Sequence, residues 1–267
     1  MTGIDARRIA NFQKKIFSWW EKNKRDLPWR RTVNPYYIMV SEIMLQQTQV
    51  SRSIEKYLEF IQTFPSAESL ANAKTAEVLK VWSGLGYNRR ALWLQEAAQQ
   101  LIEKESFPTT PEELIKLKGI GPYTSRSILI FAFNQDLPTV DTNIRRILIA
   151  EGFAQESSTE KELIEIAEKL LPKGQSRDWH NALMDYGALF LTASKTGIKP
   201  LSSQSQFKNS SRYHRGKIVK YLTEKQQATI EDIRKICDLS ENDLKTVLDS
   251  LEKDNLIKRV KETISLP

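Results

Sequence analysis

Cysteine is almost missing from this chain: Cys237 stands alone in 267 residues. That excludes an internal disulfide and any metal cluster held by several thiolates. Histidine is scarce as well, only His180 and His214, so a zinc site built from the chain's own ligands is not expected. No run of about 18 apolar residues occurs. The opening MTGIDARRIANFQKK has no apolar stretch of signal-peptide length. We therefore expect a soluble cytoplasmic protein with no membrane partner and no secretion signal. Strand-like alternation is absent until the last dozen residues.

What is present is helical periodicity. Apolar residues recur at helical spacing at Ile9, Phe12, Ile16, Trp19 and Trp20, and again at Ile54, Tyr57, Leu58 and Ile61. Further helical patterns cover 76–82, 89–103, 111–117, 123–133, 142–150, 159–171 and 178–191. With 40% apolar residues, the chain can build a core of its own. The fold class is all-α. Forty Lys and Arg against 33 Asp and Glu give +7, a lean toward polyanions that permits nucleic acid without requiring it.

Composition changes near residue 192. The stretch TASKTGIKPLSSQSQFKNSSRYHRG (192–216) has five basic residues and no acid, and reads as a basic loop. Beyond it, 215–226, 229–237 and 240–253 read as helices, and LIKRVKETISLP as a two-stranded wing, together a winged-helix-like unit. The expected division is 1–191, 192–211 and 212–267.

At the midpoint lies LKGIGPYTS (117–125). A Gly-Ile-Gly turn between helices can aim the N–H groups of Gly119, Ile120 and Gly121 at a phosphate, beside the positive end of the next helix. By itself the turn is equally a plain helix connector. Twenty residues on comes PTVDTNIRR, where Asp141 precedes a helix that opens with Thr142 and Asn143.

Here the chain resembles the helix-hairpin-helix DNA glycosylases that share a Gly/Pro-Asp loop, most nearly the MutY-type adenine glycosylases. The likeness runs over about residues 8–191, through LPWR (27–30), SEIMLQQTQV (41–50), VWSGLGYNRRALWL (81–94) and NALMDYGAL (181–189). It implies a two-lobed helical fold and a double-stranded DNA substrate carrying a mismatched or damaged base. It also implies hydrolysis of an N-glycosidic bond after base flipping, by a monomer. Such a reaction needs an acid for the leaving base and a carboxylate for the oxocarbenium-like sugar. The resemblance assigns these to Glu42 and Asp141, with Asn143 beside the latter. Outside their motifs, a helix-surface glutamate and an N-cap aspartate would be the plainer readings. Tyr123 stands where bifunctional relatives carry a lysine; a tyrosine forms no Schiff base, so release of an abasic site without strand cleavage is expected.

By the same resemblance, Gln46, Gln47 and Thr48 form a minor-groove finger, and Tyr87, with Leu85 nearby, intercalates beside the partner base. Trp29, Arg30, Leu45, Asn181 and Met184 line the base pocket. Arg89 and Arg90 are expected to serve phosphates or simply be solvated.

Three departures qualify the likeness. MutY-type enzymes hold an iron–sulfur cluster with four cysteines; the matching positions here are Leu191, Ile198, Leu201 and Phe207, so a small apolar core is expected instead of a cofactor. The loop keeps Lys195, Lys199 and Lys208 for phosphates. A monovalent cation at the hairpin stays open. Where those enzymes carry a Nudix-like β domain, 212–267 read as the winged unit, whose acidic third helix suits docking to a protein better than reading DNA. Asn181 replaces the usual Glu or Gln. Excision of adenine opposite 8-oxoguanine or guanine leads. A thymine or uracil mismatch glycosylase, and a non-catalytic DNA-binding protein on this scaffold, remain alternatives.

Overall fold

The computed structural model describes residues 5–201 and 210–267. Helix α1 (Ala6–Asn23) leads through a single 3-10 turn, Pro28–Arg30, to α2 (Pro35–Leu45) and α3 (Val50–Thr63). Next come α4 (Ala67–Ala71), α5 (Thr75–Trp82) and α6 (Arg89–Ile102). The glycine hairpin lies between α7 (Pro111–Leu114) and α8 (Pro122–Phe133). Then follow α9 (Thr142–Ala150), α10 (Glu160–Leu170), α11 (Ser176–Asp185), a π turn at Tyr186–Phe190, and α12 (Ala193–Thr196). The C-terminal segment reads α13 (Ser211–Lys225), β1 (Gln227–Thr229), α14 (Ile230–Cys237), α15 (Glu241–Lys253), β2 (Lys258–Val260) and β3 (Thr263–Ser265).

The described residues fall into two compact units, 5–38 with 109–115 and 120–201, and 39–108 with 116–119 and 210–267. In the first unit, Phe12 and Ile16 of α1 pack with Ile144, Ile147 and Leu148 of α9 and with Trp179, Ala182 and Leu183 of α11. Phe12 meets Trp179 edge-on at 5.7 Å, a favoured aromatic geometry. Local chemistry fixes the helix starts. Asp5 caps α1 through Arg7 N–H, and Thr159 with Glu162 forms a capping box on α10. Pro122 opens α8, where its missing N–H costs nothing, and Asn134 closes it in the left-handed conformation.

In the second unit Phe60 and Trp82 form a T-shaped pair at 6.0 Å inside the helices α3–α6. Helix α13 packs against α5, so the C-terminal segment belongs to the same unit as 39–108. Its strands form an antiparallel sheet in the order β1-β3-β2, with buried Ile264 opposite both Ala228 and Arg259. The tail forms the expected two-stranded hairpin, β2 with β3, and β1, which ends at the start of the segment read as the helix 229–237, adds a third strand to it. Helix α2 carries no one-sided apolar stripe because Tyr36, Ile38, Met39, Val40, Ser41, Ile43 and Met44 are all buried. A helix apolar all round is a core helix, and periodicity alone does not find it. Helix α7 stops at Leu114 rather than 117, and the pattern expected to run to 191 changes at Tyr186 into the π turn.

Candidate active site and nucleic-acid interface

Asp141 caps α9: its Oδ1 accepts from Ile144 N–H at 2.7 Å, and its Oδ2 from Asn143 Nδ2 at 3.1 Å. Asn143 in turn accepts at Oδ1 from Arg146 Nη2, 2.6 Å away. Arg146 also donates to the carbonyls of Leu191, at 2.6 Å, and Gly187, at 2.8 Å. Gly187 is needed here, since a Cβ would stand 2.7 Å from Asn143 Cβ. The π turn, closed by Leu191 N–H on Tyr186 O, sets that carbonyl against α9. Although Asp141 keeps some exposed surface, desolvation is the largest influence on its carboxyl and raises it above the ordinary value. The Ile144 N–H, Asn143 and the charge on Arg146 pull the other way. A desolvated carboxylate interacts strongly with any cation formed beside it.

Glu42 is the only charged residue of α2 and is half-buried between Ser41 and Ile43, both buried. The QQT finger follows directly: Gln46 and Thr48 are half-buried, while Gln47 is exposed with φ +54°, a left-handed backbone. Leu45, half-buried, ends the helix.

Arg90 overturns the expectation placed on it. It is 4% exposed, and its guanidinium donates to the carbonyls of Ile43 and Met44, each at 2.9 Å, to Gln46 O, and to Gly86 O and Thr48 Oγ1 at 3.1 and 3.0 Å. Burial draws its pKa down to about 10. It fastens the finger to the GLGY turn and is unavailable to phosphate. Arg89 pairs with Asp254 at 3.1 Å. Leu85, placed near the DNA, is a core residue, 3% exposed. Tyr87 is half-buried with φ +48°.

The expected pocket residues divide. Trp29 is buried, Met184 half-buried, and Asn181 is 7% exposed with no hydrogen bond to its amide among the described residues. Arg30, however, is committed to Asp185 by two bonds of 2.8 and 2.9 Å. Asp185 also accepts from Arg25 and from Trp20 Nε1. Burial alone would raise the Asp185 carboxyl, but Arg30, then Arg25, hold it below the usual range. This buried ion-pair centre was missed in the sequence. Its one signal was an acid inside the otherwise apolar MDYGAL.

In the hairpin, Gly119 has φ +77°, and a Cβ there would lie 2.9 Å from Trp93 Cβ. Packing and conformation, as well as any DNA contact, demand that glycine. Gly121 has an ordinary φ of −98° and open space at its Cβ position. The Ile120 side chain is buried, leaving its backbone for contact. Among the described residues, no acceptor meets the N–H groups of Gly119, Ile120 and Gly121. Tyr123 is half-buried in the first turn of α8.

An iron–sulfur cluster does not fit this chain. Cys237 is buried in α14, and Leu191, Ile198 and Leu201 offer no ligand atoms. Nor do the described ones among them form the expected replacement core. Leu191 packs on the core of the first unit, but Leu201 is 80% exposed. Phe207 and Lys208 lie outside the described residues. Arginines fasten the loop instead: Arg146 holds Leu191 O, and Arg145 holds Lys199 O at 3.2 Å. Lys195 and Lys199 are exposed on it.

Residues 40–173 match the family model described as HhH-GPD superfamily base excision DNA repair protein. The chain is similar to an adenine DNA glycosylase of Mycolicibacterium smegmatis, 40% identical over 70% of this chain and 67% of that protein. It is also similar to an adenine DNA glycosylase of Rattus norvegicus, 34% identical over 80% of this chain but only 44% of that one. The chain therefore spans less than half the length of the rat relative. Among solved structures, a thermostable thymine-DNA glycosylase superposes with a TM-score of 0.65 at 29% identity, over 72% of this chain and 94% of that chain.

Proposed function

Because the chain belongs to the HhH-GPD superfamily of base excision DNA repair proteins, we propose that it removes adenine from mismatches with 8-oxoguanine or guanine in double-stranded DNA, leaving an abasic site. The observation that carries this reading is the Asp141 carboxylate, desolvated yet fixed by Ile144 N–H and Asn143. As the N-glycosidic bond breaks, positive charge grows on the sugar, and a fixed carboxylate stabilises it more in the transition state than in the ground state. Glu42 supplies the proton to the departing purine. Tyr123 offers a hydroxyl and no amine, so the abasic strand stays whole. Asn181 presents an amide to the extruded base. Gln47 enters the minor groove, and the Gly119–Gly121 hairpin takes a phosphate. The nearness in sequence to adenine glycosylases supports the choice of base.

The likeness to a thymine-DNA glycosylase favours a second reading, excision of thymine from G·T mismatches. A panel of duplexes carrying A, T or U opposite G or 8-oxoguanine, resolved with and without alkali, separates the two. Alkali-dependent breaks at A alone are expected. Breaks at T or U, or breaks without alkali, overturn the respective parts of the proposal.

A further inference from the structure

Tyr87 is held in an unfavourable backbone conformation, and what holds its ring comes from a distant part of the sequence. A tyrosine at φ +48° is strained by about 1 kcal/mol or more, and such strain persists only where the surroundings over-determine it. The backbone before it is secured: Gly86 O accepts from Trp82 Nε1 and from Arg90 Nη2, both at 3.1 Å. The ring is different. It borders a cavity of about 210 Å³, walled further by Trp93, Arg215, Leu251 and Leu256. Packing alone leaves it room to move.

Two guanidiniums attend the ring. Arg90 lies 5.4 Å from its centroid, and Arg212, at the start of α13, lies 5.3 Å away. Arg212 Nη1 also donates to the Tyr87 hydroxyl. The helix carrying Arg212 is itself anchored. Arg215, less than one turn on, pairs with Asp254 at 2.6 Å and donates to Ser250 Oγ, and Asp254 also receives Arg89 at the start of α6. Asp254 thus ties α13 to the helix that follows Tyr87.

We propose that Arg212 is a positioning residue for Tyr87, through which the C-terminal segment sets the aromatic that meets the partner base. The proposal rests on the reading that Tyr87 touches DNA. It gives 210–267 a part in substrate discrimination that requires no DNA contact of its own, which suits the acidic face of α15. A cation over the ring and a charge-assisted hydrogen bond to its hydroxyl fix position and tilt together.

The test uses the whole chain and single-turnover excision of A opposite 8-oxoguanine and opposite G, with thermal melting alongside. Tyr87→Ala should lower the ratio of the two rates. Arg212→Ala should lower it by about tenfold, the kinetic equivalent of one charge-assisted hydrogen bond. Arg212→Lys, which keeps the charge, should recover part of the loss. The double variant Arg212→Ala with Tyr87→Ala should be no worse than Tyr87→Ala alone. Tyr87→Phe removes only the acceptor and tests the same bond should Arg212→Ala fold poorly; it too should lower the ratio. An unchanged ratio in Arg212→Ala or in Tyr87→Phe, or multiplicative losses in the double variant, overturns the positioning role while Tyr87→Ala still shows an effect. If Tyr87→Ala itself leaves both rates untouched, the reading of Tyr87 as a DNA-facing residue falls, and the positioning role with it.

Discussion

The surroundings of Asp141 and those of the QQT and GLGY turns solve the same problem differently. Each is held by a buried arginine, Arg146 in one and Arg90 in the other, and each guanidinium spends most of its donors on carbonyls. Around Asp141 the groups that touch the carboxylate are local, although Arg146 behind them reaches Gly187 and Leu191. The carboxylate caps its own helix, and Asn143 and Arg146 sit on that helix's first turns. Around the turns they are dispersed: Gln46 and Thr48, then Gly86 and Arg90, then Arg212. The local arrangement serves charge, which falls off slowly with distance and tolerates a simple support. The dispersed one serves shape, since a strained turn holds its form only when several segments constrain it.

The largest effect is expected where the local arrangement is broken. Asp141→Asn keeps a good helix cap and the hydrogen-bond shape but removes the charge. Excision should fall on the order of a thousandfold or more, with duplex binding retained. The direction of the pKa adds a second readout. The folded Asp141 carboxyl holds its proton to higher pH than the unfolded one. The folded state therefore binds more protons in that interval, and this group's contribution to stability declines as pH rises through its raised value. Wild-type excision should climb over the same interval as the carboxylate forms. Asp141→Asn should lose the climb and melt no lower than wild type at neutral pH. Turnover within tenfold of wild type would remove Asp141 from the chemistry.

That contrast also explains what could be read from the letters alone. Glu42, Asp141, Tyr123 and the GIG hairpin stand in short contiguous motifs, and their placement on α2, α9 and α8 follows from caps and prolines nearby. Arg90 looked like a phosphate ligand because NRRALWL shows only a basic pair on a helix start. All but one of its acceptors are more than forty residues upstream. The pairing of Arg30 with Asp185, 155 residues off, was equally illegible. Apolar residues at the cluster positions suggested a core, yet Leu201 points outward, because the loop is fixed through backbone carbonyls taken by Arg145 and Arg146. Side-chain periodicity carries no record of bonds to main-chain oxygen.

A smaller effect is expected where the dispersed arrangement is broken. Arg90→Ala leaves the carbonyls of Ile43, Met44, Gln46 and Gly86 without this donor, so we expect a loss of about 3 kcal/mol or more in urea unfolding. Arg90→Lys should recover little, because one ammonium on a flexible stem cannot reproduce the fan of bonds made by a planar guanidinium. The phosphate-ligand reading expects the reverse, unchanged melting with a shallower salt dependence of DNA binding. Observing that reverse would erase the distinction between the two supports.

The smallest effect is expected at the loop, whose lysine side chains make few contacts with the rest of the chain. Lys195 and Lys199 are exposed, and only the carbonyl of Lys199 is used structurally, by Arg145. Replacing both by Ala keeps that carbonyl in place, so folding should change by no more than about 0.5 kcal/mol. Binding should weaken equally for matched and mismatched duplexes, because phosphate contacts carry no sequence information. The slope of log K against log salt should become shallower by about 2, close to one for each phosphate no longer neutralised. Lys195 also lies 5.3 Å from the Phe190 ring, an exposed cation–π pair whose removal is a small effect on this scale. A steady slope with reduced excision would mean that the loop acts on the bound base or on the fold of its neighbours. An unchanged slope and unchanged excision would leave the duplex held by the hairpin and finger alone, with the basic loop a solvated surface.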